Sequence, residues 1–212
     1  MKRQGRSLFK RVFPESTDYS SEVAAVIGAG GVAAIPTETS YGLAVDPHNQ
    51  KALERLFSLK NRPPVKPVLV LIENSEFLPR LVSHTPPNYI PLIKRYWPGP
   101  LTLIFPALPD LPKLLTAGTG TIGIRVSSHR IATEICRKAG GAITATSANL
   151  SGHAPARSAD EVIDIFKDAI DIVVDGPILS TAPCSTIVGR KDDKLTLIRK
   201  GMIPFEKLRS LH

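Results

Sequence analysis

Gly30-Gly31-Val32-Ala33-Ala34-Ile35-Pro36-Thr37-Glu38-Thr39-Ser40-Tyr41-Gly42-Leu43 decides the fold class. Four apolar residues, 32–35, lie between a glycine pair and a proline, the pattern of a short strand buried on both faces. Upstream, Ser20 and Ser21 can cap a helix carrying Val23, Val26 and Ile27, which Gly30-Gly31 stops. The glycines thus close a helix and precede a strand, the reverse of the order that a dinucleotide-binding loop needs. Beyond Pro36, five consecutive hydrogen-bonding side chains run up to Gly42. That is more side-chain polarity than a turn needs to close itself.

The alternation continues outward from this stretch. Asn49 can cap a helix with Leu53, Leu56 and Phe57 on one face, and residues 68–72 read as a strand. Tyr89, Leu92, Ile93 and Tyr96 keep helical spacing until Trp97-Pro98-Gly99-Pro100 breaks it. Strands are expected at 101–105, 122–126, 142–146, 172–174, 186–188 and 195–198, with helices near 130–138 and 159–167. Helices and strands alternate early and strands cluster late. The expectation is an α/β domain with a twisted mixed sheet and flanking helices.

At 212 residues the chain suits one domain, placed at 20–208, behind a basic and flexible arm at 1–19 that contains no predicted helix or strand. No apolar run approaches the length of a membrane span, and the first thirteen residues lack the apolar centre of a secretory signal. Cys136 and Cys184 share no close spacing, so neither a disulfide framework nor a zinc site is expected and a reducing cytoplasm is the default. Cys136 falls on a buried helical face, where packing is its expected role. A formal net charge of +8 favours an anionic partner, either a nucleotide or a nucleic acid.

The chemistry resides in polar segments at strand ends. Lys60 and Arg62 put two cations on one side of a short loop, and Lys66 follows in a segment stiffened by Pro63, Pro64 and Pro67. Ser147-Ala148-Asn149 offers a hydroxyl and an amide where the apolar run 142–145 turns toward solvent. Cations facing small neutral hydrogen-bonders suit a polyphosphate. Thr121, Gly123 and Arg125 share one face of a predicted strand by alternation. An arginine in an apolar strand needs an anion, either a ligand or a structural glutamate. No serine elbow, Walker loop or metal-spaced histidine set is present.

The segment 36–43, the Lys-x-Arg of Lys60 and Arg62, Trp97-Pro98-Gly99-Pro100-Leu101-Thr102, Arg125, Ser147-Ala148-Asn149, Ser185-Thr186-Ile187 and Arg199-Lys200-Gly201 resemble the YrdC-like family. The resemblance runs from about residue 23 to 204, in the short single-domain form without the extra C-terminal domain of longer members. It implies a twisted α/β sheet around a deep basic cavity. It also implies synthesis of L-threonylcarbamoyladenylate and pyrophosphate from L-threonine, bicarbonate and ATP, for threonylcarbamoyladenosine in tRNA.

By motif, the resemblance assigns Lys60, Arg62, Lys66, Thr121, Ser147, Asn149 and Arg199 to ATP. It gives Thr39, Arg125, Ala145 and Ser185 to L-threonine, and makes Lys60 and Arg62 electrostatic stabilisers with no covalent residue. Mg2+ would arrive with ATP, and downstream threonylcarbamoyl-transfer proteins and tRNA or double-stranded RNA are the implied partners. This chain has Val65-Lys66 where many relatives carry Asp-Asn, and Leu71 where many carry histidine. The alternatives are a non-catalytic double-stranded RNA-binding or ribosome-assembly factor, and a paralogue with another substrate.

Overall fold

The computed structural model describes residues 9–179 and 184–211. In chain order its strands and helices are β1 (Lys10–Val12), α1 (Tyr19–Gly28), β2 (Ala33–Pro36), β3 (Tyr41–Ala44), α2 (Gln50–Leu59), β4 (Val70–Ile72) and α3 (Ile90–Tyr96). There follow β5 (Leu101–Pro106), α4 (Lys113–Thr116), β6 (Thr121–Arg125), α5 (Arg130–Lys138), β7 (Ala142–Thr144) and β8 (Thr146–Ser147). The last are α6 (Ala159–Phe166), β9 (Ile172–Val174), β10 (Thr186–Lys191), β11 (Lys194–Arg199) and α7 (Phe205–Arg209).

The strands make two mixed sheets rather than one. The first has the order β1-β9-β2-β3-β8 and the second β11-β10-β5-β6-β4-β7. Period-two alternation puts the first sheet between two apolar layers. Ala33 and Ile35 of β2, with Ile172 and Val174 of β9, pack on α1 and α5 through Val23, Ile27, Ile131 and Ile135. Ala34 and Val173 face the opposite way, into the larger core with Leu43, Leu53, Leu56, Val70 and Ile124. The Asn49 cap forms as expected, its side chain accepting from Ala52 N at 3.1 Å.

Three departures from the sequence reading have physical causes. Residues 41–44 form a strand, paired antiparallel with β2 along its whole length, and Gly42 and Leu43 also pair with Ser147 and Thr146 of β8 on its other side. The run 142–146 is not one strand. It ends in the second sheet at Thr144 and resumes in the first at Thr146, with Ala145 N donating to Leu69 O at 2.7 Å across the switch.

The third departure concerns the arm, which is not uniformly peripheral. Lys10–Val12 pairs in parallel with β9, Val12 is buried, and Arg11 bonds to Asp175 and Asp160. Two charged residues in a three-residue strand hid that signal, since β1 is an edge strand with one buried side chain.

Candidate active site

A cavity of about 260 Å3 opens where the two sheets meet. The β2–β3 turn supplies Thr37, Thr39 and Ser40, and the sheet switch supplies Ala145, Thr146 and Ser147. Arg62 projects from the proline loop, Arg125 from the end of β6, and Ser185 and Arg199 from the β10–β11 side. Leu69, Leu71, Ile104, Ile187 and Ile198 form apolar wall. Among the described residues the lining holds three arginines and no carboxylate.

The turn is preorganised. Thr37 Oγ1 donates to Ser40 O at 2.8 Å and accepts from Thr39 N at 3.2 Å, and the Thr37 and Thr39 hydroxyls lie 3.2 Å apart. Opposite it, Arg199 grips Ser185: Nη2 donates to Ser185 O at 3.0 Å and to Ser185 Oγ at 2.9 Å, and Nε donates to the same carbonyl at 3.2 Å. Thr102 Oγ1 is 2.9 Å from Ser185 Oγ. This contact depends on Gly201, since a Cβ there would lie 2.3 Å from Ser185 C and 2.4 Å from Thr186 N.

Arg62 is clasped by its own loop, with Nε donating to Lys66 O at 3.1 Å and Nη2 to Pro67 O at 2.7 Å. Burial lowers its pKa from the ordinary arginine value. Arg125 is buried, with Nη1 3.0 Å from Glu38 Oε1. Burial also lowers the Arg125 pKa; Glu38 opposes that change and the nearby Arg199 adds to it. Three guanidiniums on one small cavity, offset by one carboxylate behind it, are chemically suited to anionic groups.

Seven of the eleven site residues expected from the sequence line this cavity: Thr39, Arg62, Arg125, Ala145, Ser147, Ser185 and Arg199. Lys60 does not. Its side chain is buried, and Nζ donates to Ser147 O, to Asn149 O at 2.6 Å and to Asn149 Oδ1 at 3.0 Å. All three ammonium protons are thereby engaged. Burial, with Arg62 adding repulsion, brings the Lys60 pKa down to about 7.

Asn149 is also engaged, accepting from Ser147 Oγ at 2.6 Å and donating to His153 O at 2.5 Å. Lys60 and Asn149 therefore shape the Ser147 loop rather than face the cavity. Asn61 sets the two cations apart. Its left-handed φ of 49° turns Lys60 inward and Arg62 toward the cavity, so the two cations do not share a side.

Lys66 is exposed, contributing a carbonyl to the Arg62 clasp while its side chain stays off the lining. Thr121 lines a different concavity, with His84, Arg190 and Asp193. Alternation does put it on one face with Arg125, but four residues of strand separate the two by about 13 Å. Glu38, missed as a site residue, was visible only as one member of the polar run. Cys136 is buried, its thiol pushed up to about 12 by burial, as packing predicts.

The Sua5/YciO/YrdC family model, described as "Telomere recombination", matches residues 25–201. The chain belongs to this family. It is 34% identical over 185 residues to threonylcarbamoyl-AMP synthase of Pyrococcus abyssi, covering 87% of this chain and 54% of that protein. It is 39% identical over 171 residues to the protein of that name from Thiobacillus denitrificans, covering 81% and 90%. Among solved structures, P. abyssi Sua5 complexed with L-threonine superposes with a TM-score of 0.90 at 31% identity, covering 97% of this chain and 61% of that one. This family member thus spans a little over half of the P. abyssi protein and nearly all of the T. denitrificans one. Among the described residues no helix is long and apolar enough to cross a membrane.

Proposed function

We propose that the chain is an L-threonylcarbamoyladenylate synthase, a nucleotidyltransferase that joins L-threonine, bicarbonate and ATP and releases pyrophosphate, acting in the cytoplasm on the route to threonylcarbamoyladenosine in tRNA. The observation that carries this reading is the convergence of Arg62, Arg125 and Arg199 with the Thr39, Ser147 and Ser185 hydroxyls on one cavity. Family membership and the shared name of its relatives support it.

The substrates bring both nucleophile and leaving group. The threonine amine takes up bicarbonate-derived CO2 to form a carbamate, its proton and the bicarbonate hydroxide leaving as water. A carbamate oxygen then bonds to the α-phosphorus while the bond to the bridging β-oxygen breaks. Such a reaction asks the protein to align partners, exclude water and offset phosphate charge. In this reading Arg62 and Arg199 take phosphate, with Ser147 as a directional donor, while Arg125 takes the amino-acid carboxylate between Thr39 and Ser185. Lys60 and Asn149 hold the Ser147 loop, and Thr121 and Lys66 reach only an outlying part of ATP. Mg2+ would enter as part of the ATP substrate, its ligands coming from phosphates and water. Transfer to tRNA, with a partner protein, would follow release of the adenylate.

Pyrophosphate release that requires both L-threonine and bicarbonate tests the reading. ATP turnover indifferent to either would refute it. Within it, Arg125→Lys is expected to weaken threonine binding by tenfold or more while ATP binding changes little, because an ammonium cannot make the forked contact, worth on the order of 1.5–3 kcal/mol. Separate calorimetric titrations check this, and equal losses would place Arg125 in the nucleotide subsite.

A further inference from the structure

We infer that Glu38 is a positioning residue for Arg125, holding the guanidinium by charge from behind the cavity so that its forked donors are presented to a carboxylate ligand. The inference rests on the reading of Arg125 as the amino-acid anchor. The two side chains are only 5% and 8% exposed, and Glu38 does not line the cavity, so it acts through Arg125. Its second oxygen accepts from Ser127 Oγ, which in turn accepts from His129 N at 3.1 Å. The β2–β3 turn and the exit from β6 are thereby tied together at the guanidinium.

The contact has a particular geometry. Glu38 Oε1 and Arg125 Nη1 are at ion-pair distance, yet neither makes a well-directed hydrogen bond. Glu38 thus supplies charge without a protein fork, leaving Arg125's two-toothed capacity for another carboxylate. A buried ion pair adds little stability over apolar side chains of equal volume, so stability alone does not account for it. Its effect on Arg125 does. Glu38 opposes what burial and the nearby Arg199 cost the Arg125 charge.

Glu38→Gln keeps size and removes charge; Glu38→Asp keeps charge and shortens the reach. With calorimetry using L-threonine and ATP separately, both variants are expected to lose about tenfold or more in threonine affinity and about twofold or less in ATP affinity. Nitrogen-15 spectra of the arginine side chains supply a readout independent of any substrate. The Arg125 Nη signals should be resolved in the wild type and averaged in Glu38→Gln, where rotation is freed. Unchanged threonine affinity, equal loss of both ligands, or Nη signals that stay resolved would overturn the inference. If the wild type makes no adenylate and binds no threonine, the proposed function falls, and the Nη signals still decide the role of Glu38. If Glu38→Gln fails to fold, Glu38→Asp carries the same tests.

Discussion

Replacing Lys60 by methionine separates a loop pin from a ligand contact. Methionine keeps the aliphatic stem in its buried slot and removes the ammonium. Asn149 O then loses its donor, whereas Ser147 O keeps the Asn149 N–H at 3.0 Å and Asn149 Oδ1 keeps the Ser147 hydroxyl at 2.6 Å. One carbonyl left buried without Nζ costs about 1–3 kcal/mol, and two weakened charge-assisted bonds add to that. Removing a desolvated charge returns part of the loss, leaving a net destabilisation of about 2–4 kcal/mol. For a chain of this size that is a fall of roughly 5–12 °C in Tm.

The same substitution has a pH signature. With the Lys60 pKa at about 7 in the fold and about 10.4 in an unfolded chain, the unfolded state binds the extra proton between those values. Lys60 therefore makes wild-type stability rise with pH from about 7 toward 10, and the methionine variant lacks that increment. Urea unfolding at pH 6, 8 and 9.5 should show the gap between wild type and variant widening upward. Stability within about 0.5 kcal/mol of wild type, combined with lost ATP affinity, would refute the pin and return Lys60 to the nucleotide.

Gly201→Ala should push the Ser185 peptide off its place, because the clashing atoms are backbone and cannot rotate away. We expect a loss of about 1–3 kcal/mol in stability with roughly tenfold weaker threonine binding, read by thermal unfolding and calorimetry. Deleting 1–13 removes β1, the buried Val12 and the Arg11 ion pairs, and should lower stability by about 2 kcal/mol with turnover of the folded fraction retained. A collapse of turnover at constant stability would show that the arm serves the cavity.

How far the site was legible follows from what each signal encodes. Local order carries strands and caps, so 33–36 and the Asn49 cap could be read from neighbours alone. Partners far along the chain leave no local trace. The switch of sheets at Ala145, the Gly42–Ser147 pairing and the Glu38–Arg125 ion pair each join residues more than eighty positions apart or depend on such a joint.

Lys60 and Arg62 show the limit most plainly. The sequence puts two cations two residues apart beyond a helix and gives both one task. The fold puts Asn61 between them in the left-handed region, a conformation that asparagine tolerates and a β-branched residue resists. One cation consequently enters the interior to fasten the Ser147 loop, and the other reaches the cavity that this loop helps to wall. Loss of either should abolish function by different routes. Only stability and its pH dependence, rather than activity, distinguish the residue that builds the site from the one that uses it.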